Sequence, residues 1–138
     1  YEAKVGKAIA PLGSQAEMLG FIPPDAVRLW QERAAIAACP SIWQEPLGKV
    51  VVEALAEGCA VLTTRCGGIP EVAEGRALII DNPTVSAFFD GFTLLLSNEA
   101  LRRDLQKKAW NDFPFTSATM ANKVDILRKG VITNLPKY

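Results

Sequence analysis

The chain has 138 residues, about half of them apolar and 22% charged, which is enough to bury one core of ordinary globular composition. Fifteen Lys and Arg balance fifteen Asp and Glu, so no long-range field draws it to nucleic acid or to an anionic membrane. No histidine is present, which excludes Ser-His-Asp, Cys-His and His-metal chemistry within these residues.

The cysteines, Cys39, Cys59 and Cys66, are odd in number and form no CxxC pair, so neither a disulfide framework nor a metal site is expected. Free thiols point to a cytoplasmic location. No apolar run reaches membrane-spanning length, and no signal-peptide pattern follows Tyr1.

In chain order, Tyr1, Val5, Ala8 and Ile9 fall at helical spacing, which predicts a helix over 1–12. The apolar stretch 16–22 predicts a short strand. Pro23-Pro24-Asp25 predicts a turn opening a helix, with Val27, Trp30 and Ala34 on one face. The run 35–39, stopped by Pro40-Ser41, predicts a buried strand. A helix is expected over 46–57, with Pro46 in its first turn and Gly58 at its end. A strand at 59–64, a loop at 66–70 and a helical turn through 71–74 follow. A strand at 77–80 stops at Asp81-Asn82-Pro83. Helices over 84–97, 99–112 and 117–129 and a tail over 133–138 complete the chain. Alternating strands and helices predict an α/β fold: a partial doubly wound, Rossmann-like parallel sheet with helices on both faces. Ligands of such sheets sit outside the carboxyl ends of the strands.

The segment Pro40-Ser41-Ile42-Trp43-Gln44-Glu45-Pro46-Leu47-Gly48-Lys49, continuing to Glu53, runs from a strand end into a helix start. Free N–H groups there favour an anion, Gly48 permits close approach, and Lys49 adds a cation. With both glutamates on one helix, Glu45 and Glu53 would lie roughly 12 Å apart along its axis, on nearly the same side. That spacing suits two ends of one extended ligand, since carboxylates accept hydrogen bonds from vicinal hydroxyls. The simpler reading makes Glu45 a helix-start carboxylate and Glu53 a surface partner of Lys49. On that reading Gly67-Gly68 is a plain turn, Trp43 a packing residue and Arg65 a solvated charge.

Together with Leu19-Gly20-Phe21-Ile22-Pro23, Glu53-Ala54-Leu55-Ala56, Gly58, Cys66-Gly67-Gly68 and Pro70-Glu71, this segment resembles the C-terminal domain of family 4 retaining glycosyltransferases. These are GT-B-fold enzymes, also called group 1. The likeness spans most of 15–128. It implies transfer of a sugar from a nucleotide-diphosphate sugar to a hydroxyl acceptor, with retention and without a metal or other cofactor. It implies that Glu45 is the catalytic-site glutamate beside the donor sugar, and that Glu53 takes the ribose hydroxyls. Pro46, Leu47, Gly48 and Lys49 correspond to the segment meeting sugar or diphosphate, Ser41 and Trp43 to the loop beside it, and Gly67 and Gly68 to a loop near the donor. Leu47 replaces the usual Phe, and Lys49 stands where an apolar residue is more usual.

The same resemblance implies that the domain's first strands, with a basic pair gripping the diphosphate, and an N-terminal acceptor domain lie outside residues 1–138. An inactive partial donor domain is therefore expected, with an open sheet edge through which a homodimer can form. Competing readings are a non-catalytic nucleotide-sugar-binding module, a structural α/β domain and a sugar-nucleotide epimerase.

Overall fold

Three short apolar runs build the sheet: β1 (Ile36–Cys39), β2 (Ala60–Thr64) and β3 (Ala77–Ile80). The computed structural model describes residues 2–111 and 113–133. The strands pair in parallel in the order β1-β2-β3, with Ala37 opposite Val61 and Thr63 opposite Ile79. Every residue of β2 is buried, as expected of a central strand covered on both faces, including the two threonines that end it. Among the described residues β1 has a strand on one side only.

The helices are α1 (Glu2–Ile9), extended by a 3-10 turn over Ala10–Gln15, then α2 (Pro24–Arg33) and α3 (Lys49–Ala56). They continue with α4 (Ile69–Ala73), α5 (Val85–Ser97), α6 (Glu99–Asn111) and α7 (Ser117–Thr133). Local chemistry explains several starts. Pro24 opens α2, where its missing N–H costs nothing. The Thr84 hydroxyl accepts the Ala87 N–H at 3.1 Å and caps α5. The Asn98 side chain does the same for Leu101 at 2.9 Å before α6.

The core has two layers, one on each face of the sheet. On one face Val51, Ala54 and Leu55 of α3 meet Val61, and Ile69, Val72 and Ala73 of α4 join them. On the other, Leu95 of α5 and Leu105 of α6 cover Ala60 and Leu62. Helix α6 reaches both layers, since its Ala109 belongs to the first. The Gln106 amide donates to the Ala35 carbonyl at 3.3 Å just before β1, so α6 closes the amino end of the sheet. The opposite, carboxyl end is left to the loops. Helix α7 buries no residue.

The strands at 35–39, 59–64 and 77–80 and the long helices stand where the sequence pattern puts them. One expected strand is absent and several boundaries differ, the helix expected over 1–12 giving way to a 3-10 turn after Ile9. No strand forms over 16–22: Gly20 turns the chain with φ 64, Phe21 is 99% exposed, and no described strand lies beside it to pair with. Helix α3 begins at Lys49 rather than Pro46, for a reason given below. Helix α4 begins at Ile69, two residues before the expected turn. Helix α7 continues to Thr133. Tyr1, Asp112 and the tail after Thr133 lie outside the described residues.

Candidate functional site

The loops after β1 and β2 meet at the carboxyl edge of the sheet, and the backbone joins them. The Gly68 N–H donates to the Glu45 carbonyl at 2.6 Å, and the Gly67 N–H donates to the Gln44 side-chain oxygen at 2.9 Å. A β-carbon at Gly67 would lie 2.2 Å from the Glu45 carbonyl oxygen, and one at Gly68 equally close to that of Pro46. Neither contact is possible for any other residue. The glycine pair is therefore more than a plain turn: it is the backing on which Gln44 to Leu47 rests.

Two threonines at the end of β2 fix the other side. The Thr64 hydroxyl donates to the Ser41 carbonyl at 2.6 Å, and the Thr63 hydroxyl to the Cys39 carbonyl at 3.0 Å. Both threonines are fully buried. The loop leaving β1 thus hangs from the central strand. Within it the Ser41 hydroxyl donates to the Glu45 carboxylate at 3.2 Å, so Ser41 orients Glu45.

Gly48 accounts for the late start of α3. It is buried, with φ 73 and ψ 55, and a β-carbon there would lie 2.8 Å from Ile69 Cγ1. Its left-handed conformation precludes helix through 46–48. The helix starts only after it, with the Val51 and Val52 N–H groups donating to the Gly48 carbonyl at 2.9 and 3.1 Å. Pro46 and Leu47 lie in the bend ahead. Glu45 and Glu53 therefore do not share a helix, and their helical separation does not describe the site.

They occupy two adjoining grooves instead. A groove of about 470 Å³ is lined by Cys39, Ser41, Trp43, Glu45, Gly48 and Ile69 among others. A second, of about 460 Å³, is lined by Phe21, Ile22, Arg28, Gln31, Glu53 and Glu57 among others. Both volumes suit a small organic ligand. Among the described residues Lys49 is the one that lines both.

The remaining predicted residues fall as follows. Glu53 is half-exposed and pairs with Lys49 at 3.4 Å, the i,i+4 contact of the simpler reading. Trp43 is not a packing residue: it is 62% exposed and stands on the wall of the first groove. Arg65 is not a free solvated charge. It pairs with Asp81 and with Glu74, and these two carboxylates push its pKa further up. The arginine so clasps the ends of β2 and β3 together. Burial, with a smaller contribution from Cys59, pushes the Cys39 thiol up to about 11. Gln44, Thr64, Ile69 and the lining of the second groove from Phe21 to Gln31 are site residues that sequence reading missed. A threonine pair ending a buried strand is a usable signal for Thr64, because buried hydroxyls need partners.

The chain is similar to several known proteins. YtcC of Bacillus subtilis is 32% identical over 120 residues, covering 82% of this chain and 29% of its own length. The D-inositol 3-phosphate glycosyltransferase of Corynebacterium glutamicum is 37% identical over 82 residues, 58% of this chain and 19% of that one. The solved sucrose-phosphate synthase of Thermosynechococcus elongatus superposes with a TM-score of 0.74 at 22% identity, over 96% of this chain and 35% of that one. The chain thus spans less than a third of the curated relatives named and about a third of the solved structure. The family model for glycosyl transferases group 1 matches residues 6–112, which take in β1 to β3, both glutamates and the glycine pair, and the chain belongs to that family.

Proposed function

We propose that these residues form part of the donor site of a glycosyltransferase that moves a sugar from a nucleotide-diphosphate sugar to a hydroxyl acceptor with retention of configuration. The observation that carries this is the pair of adjoining grooves, one holding Glu45 and the other Glu53, on either side of the start of α3. An extended ligand with a hydroxylated ring at each end needs two such carboxylates. In this reading Glu53 takes the ribose hydroxyls, and Glu45, oriented by Ser41, stands beside the donor sugar. Trp43 offers the sugar an exposed aromatic wall. Backbone N–H groups around Gly48 and the cation of Lys49 stabilise the leaving diphosphate without a metal or other cofactor. Gly67 and Gly68 hold the segment from behind.

The acceptor and the remaining grip on the diphosphate belong, in this proposal, to chain beyond these residues, which by themselves bind donor and turn nothing over. The three thiols suit a reducing cytoplasm, and no helix among the described residues is long and apolar enough to cross a membrane. The test is a thermal-shift panel with UDP, GDP, ADP and their sugar conjugates, on the parent and on Glu53→Ala. Saturation at a hundredfold excess over Kd stabilises by about 2.7 kcal/mol. A shift with one base family, lost in the variant, is expected. No shift with any compound overturns the reading for these residues.

The open side of β1 supports a second proposal, self-association through that edge, because unpaired strand groups are a template for another strand. Light scattering should show a dimer, and a monodisperse monomer would sink the idea.

A further inference from the structure

We propose that the side chain of Lys49 makes the site select nucleoside diphosphates over nucleosides, by holding Glu53 in the empty site and releasing it to grip the diphosphate. The inference rests on the donor-site reading above. The nucleoside and the sugar of such a donor are joined only by the diphosphate. Where the nucleoside occupies the Glu53 groove and the sugar the Glu45 groove, the diphosphate must cross the boundary between them. Among the described residues Lys49 alone lines both grooves, and it is the only cation there lining the groove of Glu45.

The second groove has one other cation, Arg28. Its guanidinium is held by Glu32 at 3.0 Å and by Glu57 at 3.6 Å, and those carboxylates raise its pKa. Lys49 is bound more loosely. Its contact to Glu53 is 3.4 Å long, and its side chain is 84% exposed. A flexible stem with three rotatable donors can exchange a carboxylate for a phosphate with little loss. The ion pair engages one oxygen, Oε1, of the carboxylate that the ribose needs. A nucleoside alone competes with Lys49 for that oxygen and gives it nothing in return, whereas a diphosphate gives Lys49 two anionic groups in exchange.

Isothermal titration of the full 138-residue chain with uridine, guanosine, adenosine and their 5′-diphosphates tests this on the parent, Lys49→Met, Lys49→Arg and Glu53→Ala. For the base that binds, Lys49→Met should bind the nucleoside about twofold tighter, since an exposed i,i+4 pair has been removed. It should bind the diphosphate about tenfold weaker, since a charge-assisted contact has been lost. Lys49→Arg should keep most of the diphosphate preference. Lys49 is exposed, so all its variants should melt with the parent.

A Lys49→Met preference within twofold of the parent's overturns the inference. The donor-site reading then still stands if Glu53→Ala abolishes nucleoside binding. A loss confined to the diphosphate, with the nucleoside unchanged, overturns the role of the Glu53 pair. Absence of binding by all six compounds overturns both inference and reading.

Discussion

A β-carbon added to Gly67 would fall 2.2 Å from the carbonyl oxygen of Glu45 and 2.5 Å from its nitrogen. The obstacle is backbone, which cannot swing aside as a side-chain end can. Gly67→Ala and Gly68→Ala should therefore each cost about 2 kcal/mol or more, as overpacking against rigid structure does. Gly75 is the control. Its φ of 74 is strained for alanine, but nothing lies within 4 Å, so Gly75→Ala should cost only about 1–2 kcal/mol. Urea unfolding of the three variants decides. An equal loss at Gly67 would mean that φ, and not the contact with Glu45, makes that position glycine. At Gly68, where φ is −80, a loss as small as that of Gly75 would count against the contact with Pro46.

The threonines of β2 should not be equivalent. The Cys39 carbonyl accepts both the Thr63 hydroxyl and the Ser41 N–H, at 3.0 Å each. Thr63→Val therefore leaves that carbonyl one donor. The Ser41 carbonyl has the Thr64 hydroxyl as its side-chain donor. Thr64→Val should destabilise by about 1–2 kcal/mol and Thr63→Val by less. Chemical denaturation measures the first quantity. The order reversed would show that the loop after β1 does not hang from Thr64.

Glu45→Gln and Glu53→Gln should both fold like the parent, within about 0.5 kcal/mol. The first keeps an oxygen for the Ser41 hydroxyl, and the second loses only a half-exposed ion pair. Loss of nucleotide binding in Glu53→Gln, or of nucleotide-sugar binding in Glu45→Gln, would then report direct contact with ligand. A large drop in melting temperature for Glu53→Gln would make that carboxylate structural instead.

Cys39 makes the fold sensitive to alkali. Its thiol ionises near 9.0 when free and near 11 in the fold, so the folded state holds the proton more tightly. The stability this gives is complete below pH 9 and is lost as pH rises from 9 toward 11. The urea midpoint should fall across that window, and less so in Cys39→Ala. At pH 8 the Cys39 thiol should alkylate slowly in the native chain and quickly in urea. Fast native alkylation at the half-buried Cys39 would contradict its raised pKa.

How far the sequence was legible depended on the range of the forces at each point. The runs 35–39, 59–64 and 77–80 announce themselves because they are short, mostly apolar and end at Pro, Arg or Asp. Only β2 is buried throughout, and the expected burial of 35–39 is partial, since β1 lies at the edge of the sheet among the described residues. Leu19 to Ile22 is as apolar, but a strand needs a neighbour, and composition does not reveal one. Pro46 satisfies the local rule for a helix start, yet Gly48 overrides it through contact with Ile69, which lies far along the chain. Placing Glu45 and Glu53 in the candidate site took only their residue types and the family-like order around them. Gln44 is not legible because its partner is the backbone of Gly67, and Trp43 admits two readings because an aromatic residue suits a groove wall as well as a core.

The joining of the two loops by main-chain contact reverses the usual ranking of mobility within a domain. Loop amides ordinarily exchange with solvent through local fluctuation, well before those of the sheet. Here the amide of Gly68 points at the Glu45 carbonyl, Gly68 is buried, and the far end of that loop hangs from the central strand through Thr64. Exposing it requires the two loops to part, and with them the wall of the groove. Its deuterium uptake should therefore follow global unfolding, like that of β2, while Phe21 and the open side of β1 exchange early. The segment that walls the first groove should therefore be as rigid as the core, leaving adaptability to side chains at its rim.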